Sequence, residues 1–169
     1  MIVKTKNLII KDMTEEDIKG LLEVYNSNQD FLMFHIGRQE VSMDWLIQEQ
    51  KEMKSTNFRT LIAKENKDNT IIGFIDILFA EECYLSLLMV HNEFKSRGYG
   101  KEIYDALEDY LRERNLKSIR IDVAYDYNEL VLRFWRNRGF VEVEKIRLQW
   151  TDNLFDAIVM KKNLGEERV

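Results

Sequence analysis

The sequence predicts an α/β fold, a mixed β-sheet with helices on both faces, and three observations lead there. Helical and strand periodicities alternate along the chain in the order βααβββαβαββ. Residues 84–90 form an almost wholly apolar run, as in a strand buried on both faces in mid-sheet. No proline occurs in the 169 residues, so the boundaries rest on glycines and polar clusters, and no repeat or linker interrupts them.

Residues 8–10 make a first strand, closed by Lys11 and Asp12. Thr14 precedes Glu15, Glu16 and Asp17, an N-cap followed by acids where the helix dipole favours them. Ile18, Leu21, Leu22 and Tyr25 carry that helix to about Asn26. Residues 26–39 read as irregular, and Ser42 caps a second helix whose apolar face is Met43, Leu46, Ile47 and Met53. Strands at 58–64 and 70–79 flank a polar turn at 66–69, and the apolar strand 84–90 follows. After a glycine-containing turn, Ile103, Leu107, Tyr110 and Leu111 mark a helix ending near Asn115. Ile119, Ile121 and Val123 alternate in a strand at 118–124, and a helix spans 128–138 with Gly139 at its C′ position. Two strands finish the chain, 141–150 and 156–161, joined by a loop at 151–154. The apolar parity switches between Val143 and Ile146, which predicts a bulge or bend in the first of them.

The length suits one domain over 1–169, with 163–169 expected to fray. Apolar residues make up 45% and charged residues 33% of the chain, an ordinary balance for a soluble globular protein. The apolar run 8–10 is too short for a signal peptide or a membrane span, so a cytoplasmic location without membrane contact is expected. Cys83 is the one cysteine, which excludes an internal disulfide and agrees with a reducing compartment. Cys83, His35 and His91 show no metal-ligand spacing. A net charge of −5 argues against a nucleic-acid partner and favours attraction of cationic substrates such as amines.

The informative segment is the turn between the apolar strand and the third helix: Lys95, Ser96, Arg97, Gly98, Tyr99, Gly100, Lys101. Two glycines one residue apart leave the backbone uncovered at a helix start, where N–H groups lack internal partners and the dipole is positive. Lys95, Arg97 and Lys101 add formal charge, so a diphosphate is the natural guest. A P-loop would need glycine at position 95 and Ser or Thr at 102, which hold Lys95 and Glu102. A Rossmann fingerprint would need glycine at 103, which is Ile103.

This turn resembles the Arg/Gln-x-x-Gly-x-Gly/Ala signature of the GNAT superfamily of N-acetyltransferases, with lysine for the first residue. A second segment, Asn128, Trp135, Arg138, Gly139 and Phe140, is similar to that family's Asn…aromatic…Gly-Phe helix, and in element order the likeness runs from Leu8 to Lys161. The resemblance implies a mostly antiparallel central sheet and acetyl-CoA as co-substrate. Residues 95–101 would cradle its diphosphate through backbone N–H groups. Leu88, Met89, Val90, Asn128 and Trp135 would lie along its pantetheine and thiol end. It implies direct attack by an amine in a ternary complex, with no acyl-enzyme; lone Cys83 reads as a small buried residue.

Amide formation from a thioester needs a neutral amine, a stabilised oxyanion and a proton for the thiolate. The family often has tyrosine as that acid where this chain has Trp135, whose indole does not ionise usefully. Tyr125 and Tyr127 are the nearest substitutes. The usual strand carboxylate is missing, and Glu82, with Glu81 and Asp76, stands in as candidate base. Segment 26–39 and the 151–154 loop are expected to build the acceptor site, with Phe31, Met33 and Phe34 as its apolar wall. A small-molecule primary amine is the leading acceptor. A protein or peptide amine, and a CoA-binding module without catalysis, remain open, as does a homodimer.

Overall fold

The apolar run becomes the fifth strand of an eight-stranded sheet, and the structure, a computed structural model, describes residues 2–165. The strands are β1 (Ile2–Lys4), β2 (Leu8–Asp12), β3 (Arg59–Glu65), β4 (Ile71–Leu78), β5 (Glu82–Val90), β6 (Ser118–Ala124), β7 (Val141–Trp150) and β8 (Asn153–Asn163). Helices α1 (Ile18–Ser27), α2 (Gln29–Ile36) and α3 (Met43–Ser55) precede β3, α4 (Tyr99–Glu113) follows β5, and α5 (Glu129–Arg136) follows β6. The sheet order is β1-β2-β3-β4-β5-β6-β8-β7, and only the β5–β6 pair is parallel.

Strand side chains alternate between faces, so the sheet feeds two cores. Leu21, Val24, Leu32 and Leu46 of α1–α3 cover Ile62, Phe74 and Met89 on one face. Ile103, Leu107, Leu132 and Trp135 of α4 and α5 cover Ile75, Ile77, Leu85 and Ile121 on the other. A register shift in β4–β5 pairs Asp76 with Leu87 but Ile77 with Leu85, leaving Ser86 bulged. The bulge reverses the side-chain parity of β5 halfway along its length. No described helix is long and apolar enough to cross a membrane.

Several element boundaries differ from the sequence reading. Segment 26–39 is not irregular: Asn28 ends α1 and accepts the first backbone bond of α2, which Gly37 closes in the left-handed region at φ 75°. Leu32 and Ile36, one turn apart, were the available signal, hidden by the aromatic residues between them. Strand β1 is an added edge strand. The 151–154 loop shrinks to Thr151 and Asp152, because Asn153 already pairs with Trp150. The predicted irregularity of β7 is a register shift between Glu142 and Glu144. Of the segment expected to fray, Asn163 ends β8 and Leu164 is buried with its carbonyl accepting from Arg112 Nη1, while 166–169 lie outside the described residues.

Strands β5 and β6 pair only at Glu82–Ser118, Cys83–Ile119 and Tyr84–Arg120, then part. At the last of these pairs Tyr84 Oη donates to Asp122 Oδ2 at 2.9 Å, and Arg120 Nε donates to Asp122 Oδ1 at 2.9 Å. Helix α4 spans the divergence. Its Glu108, 1% exposed, accepts from Lys162 Nζ of β8 at 2.7 Å and from Arg112 Nε at 2.9 Å. Burial would raise the Glu108 carboxyl, but hydrogen bonds from Lys162, Tyr104 and Arg112 outweigh it and hold the group at about 2. Its stabilisation is therefore complete above the ordinary glutamate range and fades as pH falls from about 4.5 toward 2. Glu108→Gln leaves two cations facing each other at a buried site and is expected to cost about 3 kcal/mol at pH 7. Urea denaturation at pH 7 and pH 3 should show that difference shrinking at the lower pH.

Candidate active site

Beyond Tyr84, β5 has a hydrogen-bonded neighbour on one side only, and alternate backbone groups of residues 85–90 face the gap toward β6. Ser86, Leu87 and Leu88 are half-buried despite lying in mid-sheet, so the gap reaches them. Past the bulge, Leu88 and Val90 point to the α4–α5 face and Met89 to the α1–α3 face. Asn28 Nδ2 donates to the Val90 carbonyl at 3.1 Å, fixing the end of β5 against α1.

The turn after β5 has the geometry of an anion cradle. Ser96 at φ 61° and Gly98 at φ 85° are both left-handed, and a Cβ on Gly98 would meet nothing within 4 Å. The first N–H of α4 with an intrahelical acceptor is that of Glu102, on Gly98 O at 3.0 Å, so those of Tyr99, Gly100 and Lys101 precede the ladder. Gly100 lies beside Val90 and Phe134, where an added Cβ would stand 3.7 and 3.6 Å away. Lys95 is exposed and Arg97 lies over the Phe94 ring at 5.5 Å. The other two side chains turn elsewhere: Lys101 pairs with Asp105 one turn along α4, and Tyr99 Oη donates to Glu65. The residues present fit a diphosphate, held mainly by backbone.

On α5, Asn128 Oδ1 caps the helix by accepting from Leu130 N at 2.9 Å. Trp135, expected along the thiol end of the co-substrate, is 7% exposed and packs on Tyr104 and Phe140, facing the core. One residue is about 100° around a helix, so the aromatic turned toward Gly100 is half-buried Phe134, with Arg138 stacked on its ring at 3.6 Å. Sequence reasoning missed Phe134, and it named Arg138 only as part of the motif before Gly139. The place of Phe134 one residue before Trp135 on α5 was the signal available.

Helix α2, Tyr127 and the β7–β8 hairpin bring a set of aromatic rings into mutual contact, and this packed cluster of rings is termed the chamber. Phe31 stacks on His35 at 3.8 Å and meets Tyr127 and Trp150 edge-on. Phe34 contacts Tyr127 and Phe155. Asn153 Nδ2 donates to the carbonyls of Phe34 and His35 at 2.8 and 3.1 Å, which brings α2 and the β7–β8 hairpin together. Met33, expected in the same wall, is 47% exposed and has no part in these ring contacts. His35 is buried rather than superficial. Its burial lowers the imidazole to about 4, although Nδ1 lies 2.8 Å from the Phe31 carbonyl.

Both expected acid–base residues lie elsewhere. Glu82 sits at the closed end of β5, bonded to Lys161 Nζ at 2.7 Å and eight residues before Val90, roughly 26 Å away at the rise of a strand. Tyr125 is 41% exposed under Lys145 Nζ, while Tyr127 is the tyrosine that joins the chamber. Cys83 is buried, its thiol pushed up by that burial. Glu49 of α3 accepts from Trp150 Nε1 at 2.9 Å, and on β4 the Asp76 carboxyl is buried.

The model of the acetyltransferase (GNAT) family matches residues 19–140. A curated relative, the uncharacterized protein YxbD of Bacillus subtilis (strain 168), is 31% identical over 75 residues. That stretch is 44% of this chain and 46% of the relative, so the match spans about half its length. Spermidine N-acetyltransferase from Vibrio cholerae, solved in complex with CoA and spermine, superposes with a TM-score of 0.75 at 16% identity, covering 95% of this chain and 98% of that one. The ribosomal-protein-S18-alanine N-acetyltransferase of Escherichia coli gives 0.70 at 16% identity, over 93% and 94%. These likenesses show a shared fold.

The chamber geometry predicts that His35 stays neutral well below the usual imidazole range. Its ring carbon resonance, followed by NMR, should titrate near pH 4. A midpoint near 6.5 would mean that the chamber is open to water around this ring.

Proposed function

The chain belongs to the acetyltransferase (GNAT) family, and on that premise we propose that it transfers the acetyl group of acetyl-CoA to the primary amine of a small molecule, by direct attack in a ternary complex. The observation that carries the reading is the gap beyond Tyr84–Arg120, which meets the left-handed Gly98 turn on one face and the aromatic chamber on the other. The N–H groups at the start of α4 and the Arg97 guanidinium suit the diphosphate. Leu88, Val90 and Phe134 line an apolar track between that turn and the gap. The co-substrate supplies an activated acetyl group, and the open backbone of β5 supplies hydrogen-bond partners for it.

The acceptor side supports a compact amine. Phe31, Phe34, His35, Tyr127 and Trp150 are rings in mutual contact, and Trp150 holds the Glu49 carboxyl beside them. A protonated amine is drawn to such a site by charge and by ring faces. The similar solved proteins are named for a polyamine and for a protein alanine, so fold likeness does not choose between acceptor classes. The chamber is what favours the small molecule.

Calorimetric titration of acetyl-CoA into the wild type and into Gly98→Glu tests the cofactor side. The substitution places a carboxylate in the cradle and strains a left-handed position. Binding in the micromolar range is expected for the wild type, with at least a ~100-fold loss in the folded variant, about 2.7 kcal/mol. Thiol release against a panel of primary amines then identifies the acceptor, and failure of the wild type to bind acetyl-CoA overturns the reading.

A further inference from the structure

The mechanism so far leaves the acceptor proton without a destination. We propose that Glu49 takes the proton from the acceptor ammonium, and that Asp76 behind it sets the pH at which it does so. This inference rests on the transferase reading above.

Glu49 sits on α3, facing Trp150 of β7. It is only partly buried, and the Trp150 indole N–H at 2.9 Å orients its carboxyl beside the rings of Phe31 and His35 that touch Trp150. Asp76 lies below, on the strand beside β5 and opposite Leu87, at the bulge where β5 changes parity. It is 3% exposed. The groups acting on the two carboxyls are Tyr25 of α1, Glu52 of α3, Thr60 of β3 and Trp150 of β7, and none of them is a cation. Two acids sharing an apolar site without a counter-charge cannot both ionise cheaply, and an incoming ammonium supplies the missing charge.

Hydrogen bonds tie Asp76 to the helix that carries Glu49. Thr60 Oγ1 donates to Asp76 Oδ1 at 2.5 Å and lies 3.1 Å from Oε1 of Gln50, the residue after Glu49. Burial raises the Asp76 carboxyl to about 7; the Glu49 charge also raises it, while Thr60 and Tyr25 pull it down. Burial likewise raises Glu49, against the Trp150 bond that lowers it. The pair thus loses its protons in two coupled steps, the second near neutral pH.

In the reaction, the ammonium gives one proton to Glu49 and the freed nitrogen lone pair attacks the thioester carbon. The C–N bond forms, the C–S bond breaks, and sulfur leaves with the electron pair to be protonated from solvent. The nitrogen's remaining extra proton passes to solvent. Asp76 in its charged form raises the proton affinity of Glu49, so transfer strengthens as pH rises through the second step.

Steady-state pH profiles and 13C carboxyl titrations of four proteins test this. Glu49→Gln should lower kcat at least ~100-fold with acetyl-CoA affinity unchanged. Asp76→Asn should keep measurable activity but move the acidic limb of kcat down by more than about one unit. Thr60→Val, a milder change, should move the limb up, because it removes a bond that favours the ionised Asp76. In the titrations, Glu49→Gln should lower the Asp76 midpoint by roughly one unit, without any substrate present. A Glu49→Gln enzyme within threefold of wild type overturns the proposal, as do limbs that ignore Asp76 and Thr60. A wild type that binds no acetyl-CoA or acetylates no amine instead overturns the transferase reading, while the substrate-free titrations still report the coupling.

Discussion

Strands β5 and β6 pair in parallel for three residues and then separate, and most of the molecule is arranged around that separation. Each strand is satisfied on its other side: β5 pairs with β4 from Tyr84 to Val90, and β6 pairs with β8 from Ser118 to Ala124. The sheet is thus two half-sheets joined at one end, where Tyr84, Arg120 and Asp122 form a hydrogen-bonded pin. Backbone groups facing the gap need partners, and a bound extended ligand is a ready source of them. The gap itself is held open from both faces. Helix α4 leaves β5 and is tied to β8 through Glu108 and Lys162. On the other face, Asn28 fixes Val90, Asn153 fixes α2, and Trp150 fixes α3 through Glu49.

The two mouths of the gap carry opposite electrostatics. At the Gly98 turn, the positive potential comes chiefly from backbone N–H groups and Arg97, since the Lys101 charge is spent on Asp105. At the chamber, Glu49 lies beside Trp150 and Asp76 is buried behind it, and the groups that shift these two carboxyls among the described residues are not cations. An anionic ligand is favoured from one side and a cationic one from the other. Apolar surroundings strengthen both preferences, because charges in a low-dielectric site are poorly screened.

Close approach of backbone explains one further constraint. At Gly73 a Cβ would come within 2.4 Å of the Met89 carbonyl oxygen, so β4 lies against the end of β5 as only glycine allows. This contact and the Ser86 bulge lie on either side of Leu87 and Leu88, and together they shape the stretch of β5 that faces the gap.

Local patterns in the sequence determined the class of fold, the order of most elements and the glycine turn at the start of α4, because each depends on residues close together in the chain. Alternation in 118–124, the Ser42 cap and the paired glycines at 98 and 100 are all such signals. Tertiary structure alone decided which side chains meet. Trp135 and Phe134 differ by one step around a helix, and only packing against Tyr104 turned the first to the core. Glu82 and Glu49 are both unremarkable acids in sequence. The fold carried one to the closed end of β5 and the other to Trp150, which lies 101 positions away in the chain. Side-chain proton affinities follow burial and neighbours, and those exist only once distant strands and helices have packed.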